Sequence, residues 1–160
     1  MADRIDEIDT QILELLQTNG RMKRNEIAEH VGLSLPSVSE RMRKLEERGV
    51  IEGYHAHLAP RRLNFDIAAF IRVVVDGSEN YEAFIEHALA LPEVLEVHSI
   101  TGEGSHLLKV RLKNTAALER LLFQIQRWPG VHGTLTSMVL STFKESNRLP
   151  VEPMELFTED

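Results

Sequence analysis

The sequence predicts an α+β protein in two parts, three short helices with a strand-prone wing and then a βαββαβ sandwich. Three observations predict it. Apolar residues recur at helical spacing through residues 5–45, and two strand-helix-strand cycles follow, broken at matching places by Leu91-Pro92 and Trp128-Pro129. Between the two patterns, Ala59-Pro60-Arg61-Arg62-Leu63-Asn64 puts a proline and two arginines where no periodicity holds, the mark of a connection between domains.

In the first part, Ile5 can staple the opening of a helix capped by Asp6, with Asp9 as its first-turn acid. Ile8, Ile12, Leu15 and Leu16 then share one face until Asn19-Gly20 ends it. Ile27, Ala28 and Val31 make a shorter stripe, closed by Gly32, which tolerates the positive φ of a tight turn. A third helix opens at Ser34, a good N-cap, takes Pro36 in its first turn, and runs to Gly49. Its Val38, Met42 and Leu45 face a core, which leaves Glu40, Arg43 and Glu47 opposite. Val50 to Leu58 has strand propensity interrupted by Gly53 and reads as a wing. Together these elements follow the plan of a winged helix-turn-helix.

In the second part, residues 68–75 and 94–100 read as strands around a helix with Phe84, Ile85, Ala88 and Leu89 on one face. Residues 107–112 restart the cycle, Leu118, Leu121, Leu122 and Ile125 form the next stripe, and a last strand runs from Val131 to Phe143. The expected product is a ferredoxin-like sheet of four antiparallel strands with both helices on one face. Its other face would be an apolar surface larger than monomers tolerate, which predicts packing on a second copy. The expected boundaries are 1–59 for the helix-turn-helix, 60–66 for the linker, 67–145 for the sandwich and 146–160 for a loosely held extension.

Composition narrows the function. The chain has 160 residues, 42% hydrophobic and 27% charged, which suits globular protein and excludes a disordered tail. It has no cysteine, so disulfide scaffolds, thiolate metal sites and cysteine nucleophiles are out. No apolar run is long enough to span a membrane and the acidic start is unlike a signal peptide, so the expectation is a cytoplasmic protein with no membrane partner. The net charge of -7 argues at first against nucleic acid. Its distribution matters more than the sum, and the acidity belongs to the second part: residues 1–62 carry 10 basic and 11 acidic side chains, whereas residues 63–160 carry 8 and 14.

A helix of this width fits the major groove of double-stranded DNA, with polar residues near its N-terminus meeting base edges. Here those residues are Ser34, Ser37, Ser39, Glu40, Arg43 and Lys44. Arg43 can donate two bonds to a guanine and Glu40 can accept from a cytosine amino group, each pairing giving about 1–3 kcal/mol of discrimination. Lys23, Arg24, Arg41 and Arg48 suit phosphate contacts, which position the protein and make binding salt-dependent. Lys23 is a poor helix cap and unfavourable at the positive end of a helix dipole, a cost that a nearby phosphate would offset.

Three stretches carry a resemblance: Asp6-Glu7-Ile8-Asp9-Thr10-Gln11-Ile12-Leu13, Glu26-Ile27-Ala28-Glu29-His30-Val31-Gly32-Leu33-Ser34, and Ser37 through Ile51. With Thr101-Gly102 and Leu107-Leu108-Lys109-Val110 they look like the Lrp/AsnC (feast/famine) transcriptional regulators over nearly the whole chain. The resemblance implies a DNA-binding domain hinged to a ligand domain, commonly called the RAM domain. It implies dimers formed through the sheet, higher assembly such as an octamer, and an amino-acid effector bound between subunits. Family members often follow the Thr-Gly with alternating acids and aromatics, whereas this chain has Glu103-Gly104-Ser105-His106. An effector site at Thr101, Gly102, Ser105 and His106 with altered or lost amino-acid preference is therefore expected, the alternative being a Gly-rich hairpin with no ligand.

Other classes are thinner. No phosphate-cradling loop, nucleophile elbow or His-Glu-x-x-His occurs, so no enzymatic activity and no cofactor are expected. His55 and His57 lack a third ligand for zinc. One branch of similar architecture decarboxylates siroheme, and His98 with His106 is the pair that would touch such a ligand. An architectural protein that bends DNA without an effector is the remaining alternative.

Overall fold

A computed structural model describes residues 4–156, which divide into two compact units. One contains the described residues up to 57 together with those from 145 onward; the other is 58–144.

The first unit begins with a two-residue strand β1 (Arg4–Ile5) and helix α1 (Glu7–Thr18). Asp6 caps α1 by accepting from the Asp9 backbone N–H at 2.8 Å, and the Asp9 carboxylate accepts in return from the Asp6 N–H, so both ends of a capping box are closed. Helices α2 (Arg24–Val31) and α3 (Leu35–Glu47) follow. Gly32 joins them at φ 68°, where a Cβ would be strained, and its N–H donates to the Ala28 carbonyl. Ile12, Ile27, Val38 and Leu45 are at most 1% exposed and form the centre of the core. Truncating any one of them to alanine would cost about 2–5 kcal/mol for the larger side chains.

Two expectations for this unit need correction. Residues 50–58 form no strand: the Val50 and Ile51 N–H groups fold back to the Leu45 carbonyl, and no neighbouring strand offers a ladder beyond them. Strand propensity without a partner does not make a sheet. The C-terminal extension, expected to be loosely held, supplies β6 (Met154–Glu155), which pairs antiparallel with β1. Val151 and Leu156 pack on the helical core, and the Gln17 amide exchanges two bonds with the Leu149 backbone, at 3.0 and 2.7 Å. Arg148 also pairs with Glu14 at 2.8 Å. The last four residues of the expected extension lie outside the described residues.

The second unit opens with a 3-10 turn, Pro60–Leu63, and continues β2 (Ile67–Val75), α4 (Tyr81–Leu89), β3 (Val94–Ser99), β4 (His106–Leu112), α5 (Thr115–Ile125) and β5 (Val131–Met138). The four strands lie in the order β3-β4-β2-β5, all antiparallel, which is the ferredoxin-like arrangement. β2 sets the two faces: Ala69, Ile71, Val73 and Val75 are buried with Phe84, Ala88, Leu118, Leu121 and Ile125 in one core. Phe70, Arg72 and Val74 point the other way and are exposed, as is Leu135 on β5, which pairs in register with Arg72. β5 ends at Met138 rather than Phe143; past Val139, whose N–H still reaches the Ala68 carbonyl, the ladder has run out, and Phe143 is fully exposed.

Candidate nucleic-acid interface and effector turn

Helix α3 owes its presentation to its two ends and its buried stripe. The Ser34 hydroxyl accepts from the Ser37 N–H at 3.3 Å and shares a 2.8 Å bond with the Ser37 hydroxyl, so both serines are engaged in the cap. With Val38, Met42 and Leu45 buried, Ser37, Glu40, Arg43, Lys44 and Glu47 are exposed together. Ser39 is only partly exposed, on the flank of that face.

The exposed face is neutralised from within. Arg43 donates from Nε and Nη2 to the two Glu40 oxygens, at 2.9 and 2.7 Å, and from Nη1 to Glu47. Lys44 stands 3.6 Å from Glu40. The Arg43 hydrogen bond, with the charges of Arg43 and Lys44, pulls the Glu40 carboxyl down to about 2, and the two glutamates raise Arg43 in turn. The sequence places Glu47 on this face, and its i,i+4 spacing from Arg43 is the signal for the bond.

Arg41 has a different place from that expected of a phosphate contact. Its guanidinium reaches across to α1 and binds Asp6 at 2.8 Å and Asp9 at 2.7 Å, locking the capping box to the third helix. Burial works against the charged forms, but the hydrogen bonds among the three hold Arg41 up and Asp6 down. At the start of α2, Lys23 occupies the N-cap with no side-chain bond to the helix, and Lys23 and Arg24 are both exposed. Arg48 is exposed just beyond α3.

In the second unit, residues 100–105 turn β3 into β4. Thr101, Gly102 and Glu103 are exposed. Gly104, at φ 85°, lies so close to β2 that a Cβ would stand 3.1 Å from the Val73 carbonyl oxygen. Ser105 pins the turn to that strand: its N–H donates to Val73 O at 2.9 Å and its hydroxyl accepts from the Val75 N–H at 3.1 Å. His106 does not join the exposed group. Its ring is fully buried between Tyr81 and Phe84, with Nδ1 2.9 Å from the Ser105 hydroxyl and Nε2 without a partner. Burial lowers its pKa below the ordinary value of 6.5. His106 starts the inward-facing row of β4, and that parity decided its place.

Nor does His106 meet His98, whose ring is exposed and bonded to Glu96. His98 pairs in register with Leu107, one residue out of phase with the buried His106, so the two rings lie on opposite faces of the sheet. The pair envisaged for siroheme does not assemble. Among the described residues no three His, Asp or Glu side chains come together in a way that would hold a metal ion.

A profile described as winged helix-turn-helix DNA-binding matches residues 5–52, and one described as the Lrp/AsnC ligand binding domain matches residues 68–149. The chain belongs to the Lrp/AsnC family of transcriptional regulators. It is 38% identical to the HTH-type transcriptional regulator FL11 of Pyrococcus horikoshii, over 92% of this chain and 97% of that protein. To the leucine-responsive regulatory protein of Escherichia coli K12 it is 36% identical, over 92% of each. Among solved structures, a Neisseria meningitidis transcriptional regulator in complex with L-methionine superposes with a TM-score of 0.86 at 33% identity, over 91% of this chain and 96% of that one. Escherichia coli AsnC superposes at 0.85 with 29% identity, over 90% and 97%. The chain is thus a DNA-binding regulator with a small-molecule domain.

Proposed function

We propose that α3 enters the major groove of double-stranded DNA as the sequence-reading element of this regulator, and that a small molecule of the amino-acid class sets its activity from the second unit. One observation carries the first half: α3 follows the αL turn at Gly32, buries Val38, Met42 and Leu45, and turns Ser37, Arg43 and Lys44 outward together. Arg43 is the residue for a guanine, with Lys44 beside it on the same face, and Lys23, Arg24 and Arg48 are those for phosphates. Arg41, tied to Asp6 and Asp9, supports the fold of this face instead. Charge reversal of Arg43 and Lys44 together tests the reading: retention of a promoter fragment in a gel should fall by more than about tenfold, and unchanged retention would sink it.

For the second unit, the uncovered apolar face of Phe70, Val74 and Leu135 supports pairing with a second copy, and a two-fold dimer would read two related half-sites. The effector site lies at this turn, with Thr101 and Gly102 exposed and the half-buried Ser105 behind them, completed by another subunit. His106 acts there only through Ser105. The neutral hydroxyl of Ser105 replaces the acid that would balance an α-ammonium group, so common amino acids should bind more weakly than an acid at that position would allow. Calorimetric titration with the common amino acids, on the wild type and on Ser105→Asp, decides: tight wild-type binding that Ser105→Asp does not improve contradicts the altered preference.

A further inference from the structure

We infer that Glu40 determines DNA specificity by acting through Arg43, as a buttress that holds the guanidinium in place, and not by reading a base itself. The inference rests on α3 being the groove-reading helix. A guanidinium carries five N–H donors. Glu40 takes two of Arg43's, from Nε and Nη2, and Glu47 takes one from Nη1. Two remain, one on each terminal nitrogen, which is the number that the O6 and N7 acceptors of a guanine use.

The bidentate grip has a second consequence. Both Glu40 oxygens already accept from Arg43, and Lys44 lies near one of them at 3.6 Å. Each Glu40 oxygen keeps a further lone-pair site, but swinging the carboxylate out to a base edge would loosen that grip and free a long, exposed arginine side chain. An arginine held on one edge loses less conformational entropy when its other end meets a base. Glu40, Arg43, Lys44 and Glu47 sum to no net charge, so this patch offers a phosphate little attraction of its own. Discrimination is gained there without general affinity for DNA.

The experiment is selection of sites from a random duplex library by wild type, Glu40→Gln and Arg43→Gln, followed by binding to the enriched site and to unselected DNA across a salt series. For Glu40→Gln the preference at the guanine contacted by Arg43, identified as the position lost in Arg43→Gln, should weaken by about tenfold, with other positions kept. Unselected DNA should bind more tightly, with a log–log salt slope steeper by up to about one. The double variant should lose no more preference at that guanine than Arg43→Gln alone.

Glu119→Gln makes the same charge change on α5 of the other unit and should leave site preference unaltered; if it reproduces the result, the buttress is overturned. Loss of preference at a cytosine with the guanine retained overturns it in favour of direct reading, and a uniform gain across all sequences overturns it in favour of bulk charge. Glu40→Ala, also on the exposed face, provides a second variant with the same expected profile. Failure of the wild type to enrich any sequence is a separate result, which brings down the groove-reading assignment and this inference with it.

Discussion

The outward surfaces of the two units are finished in opposite ways. On α3, the charged groups at the centre of the exposed face bind one another: Arg43 is held by two glutamates, with Lys44 close to the first of them. On the outer face of the second unit's sheet, Phe70, Val74 and Leu135 are exposed. A self-neutralised polar face is stable in water and gives up its bonds only to a partner offering equivalent ones. An uncovered apolar face is driven to cover itself regardless of the partner's detail, at roughly 25 cal/mol per Å². On the proposed reading, selectivity belongs to the first surface and assembly to the second.

The largest effect that would break this contrast is on assembly. Phe70→Asp places a charge at the centre of the uncovered face, and sedimentation should show the dimer reduced to monomer; an unchanged mass would mean that this face is not the one that pairs. Next is the polar anchor behind α3. Arg41→Ala leaves the buried Asp9 without its cation and should destabilise the first unit by about 1.5–3 kcal/mol in urea unfolding. Lys23→Ser should raise stability by about 0.5–1 kcal/mol through a proper cap, and weaken DNA binding at low salt. Equal affinity for the two proteins would remove Lys23 from the phosphate contacts.

The smallest effect concerns pH. Folding lowers the pKa of His106, so the unfolded chain takes up the proton more readily. Its stabilising contribution is therefore complete above the ordinary value of 6.5 and declines as the pH falls below it. Thermal melting of His106→Leu between pH 7 and 5 should show a shallower decline than the wild type. A parallel decline would assign the acid sensitivity to other groups.

Much of this was legible in the sequence because periodicity reports which side of an element is buried. The stripe Val38, Met42, Leu45 and the matching breaks at Pro92 and Pro129 placed α3 and both halves of the sandwich. What escaped were contacts between residues far apart in the chain. Arg41 reads as one more basic residue beside Arg43 and Lys44, since nothing local reveals that Asp6 and Asp9 lie within reach. His106 read as a turn residue because the sequence does not say where the strand begins, and a shift of one position exchanges its two faces. The 50–58 wing failed for a related reason: propensity describes a segment, whereas pairing needs a second one.

The pairing of Arg4–Ile5 with Met154–Glu155 joins residues that stand on either side of the whole sandwich in the sequence. During synthesis, the three helices emerge before the sandwich, and the segment that seals them emerges only after it. The reading head is therefore closed only once the intervening sandwich has been made, and a product that stops short of residue 154 would carry the helices without their seal. A protease cut near residue 58 would likewise leave the two pieces bound through this short ladder and the side chains around it, so nicking alone would not set the DNA-reading unit free.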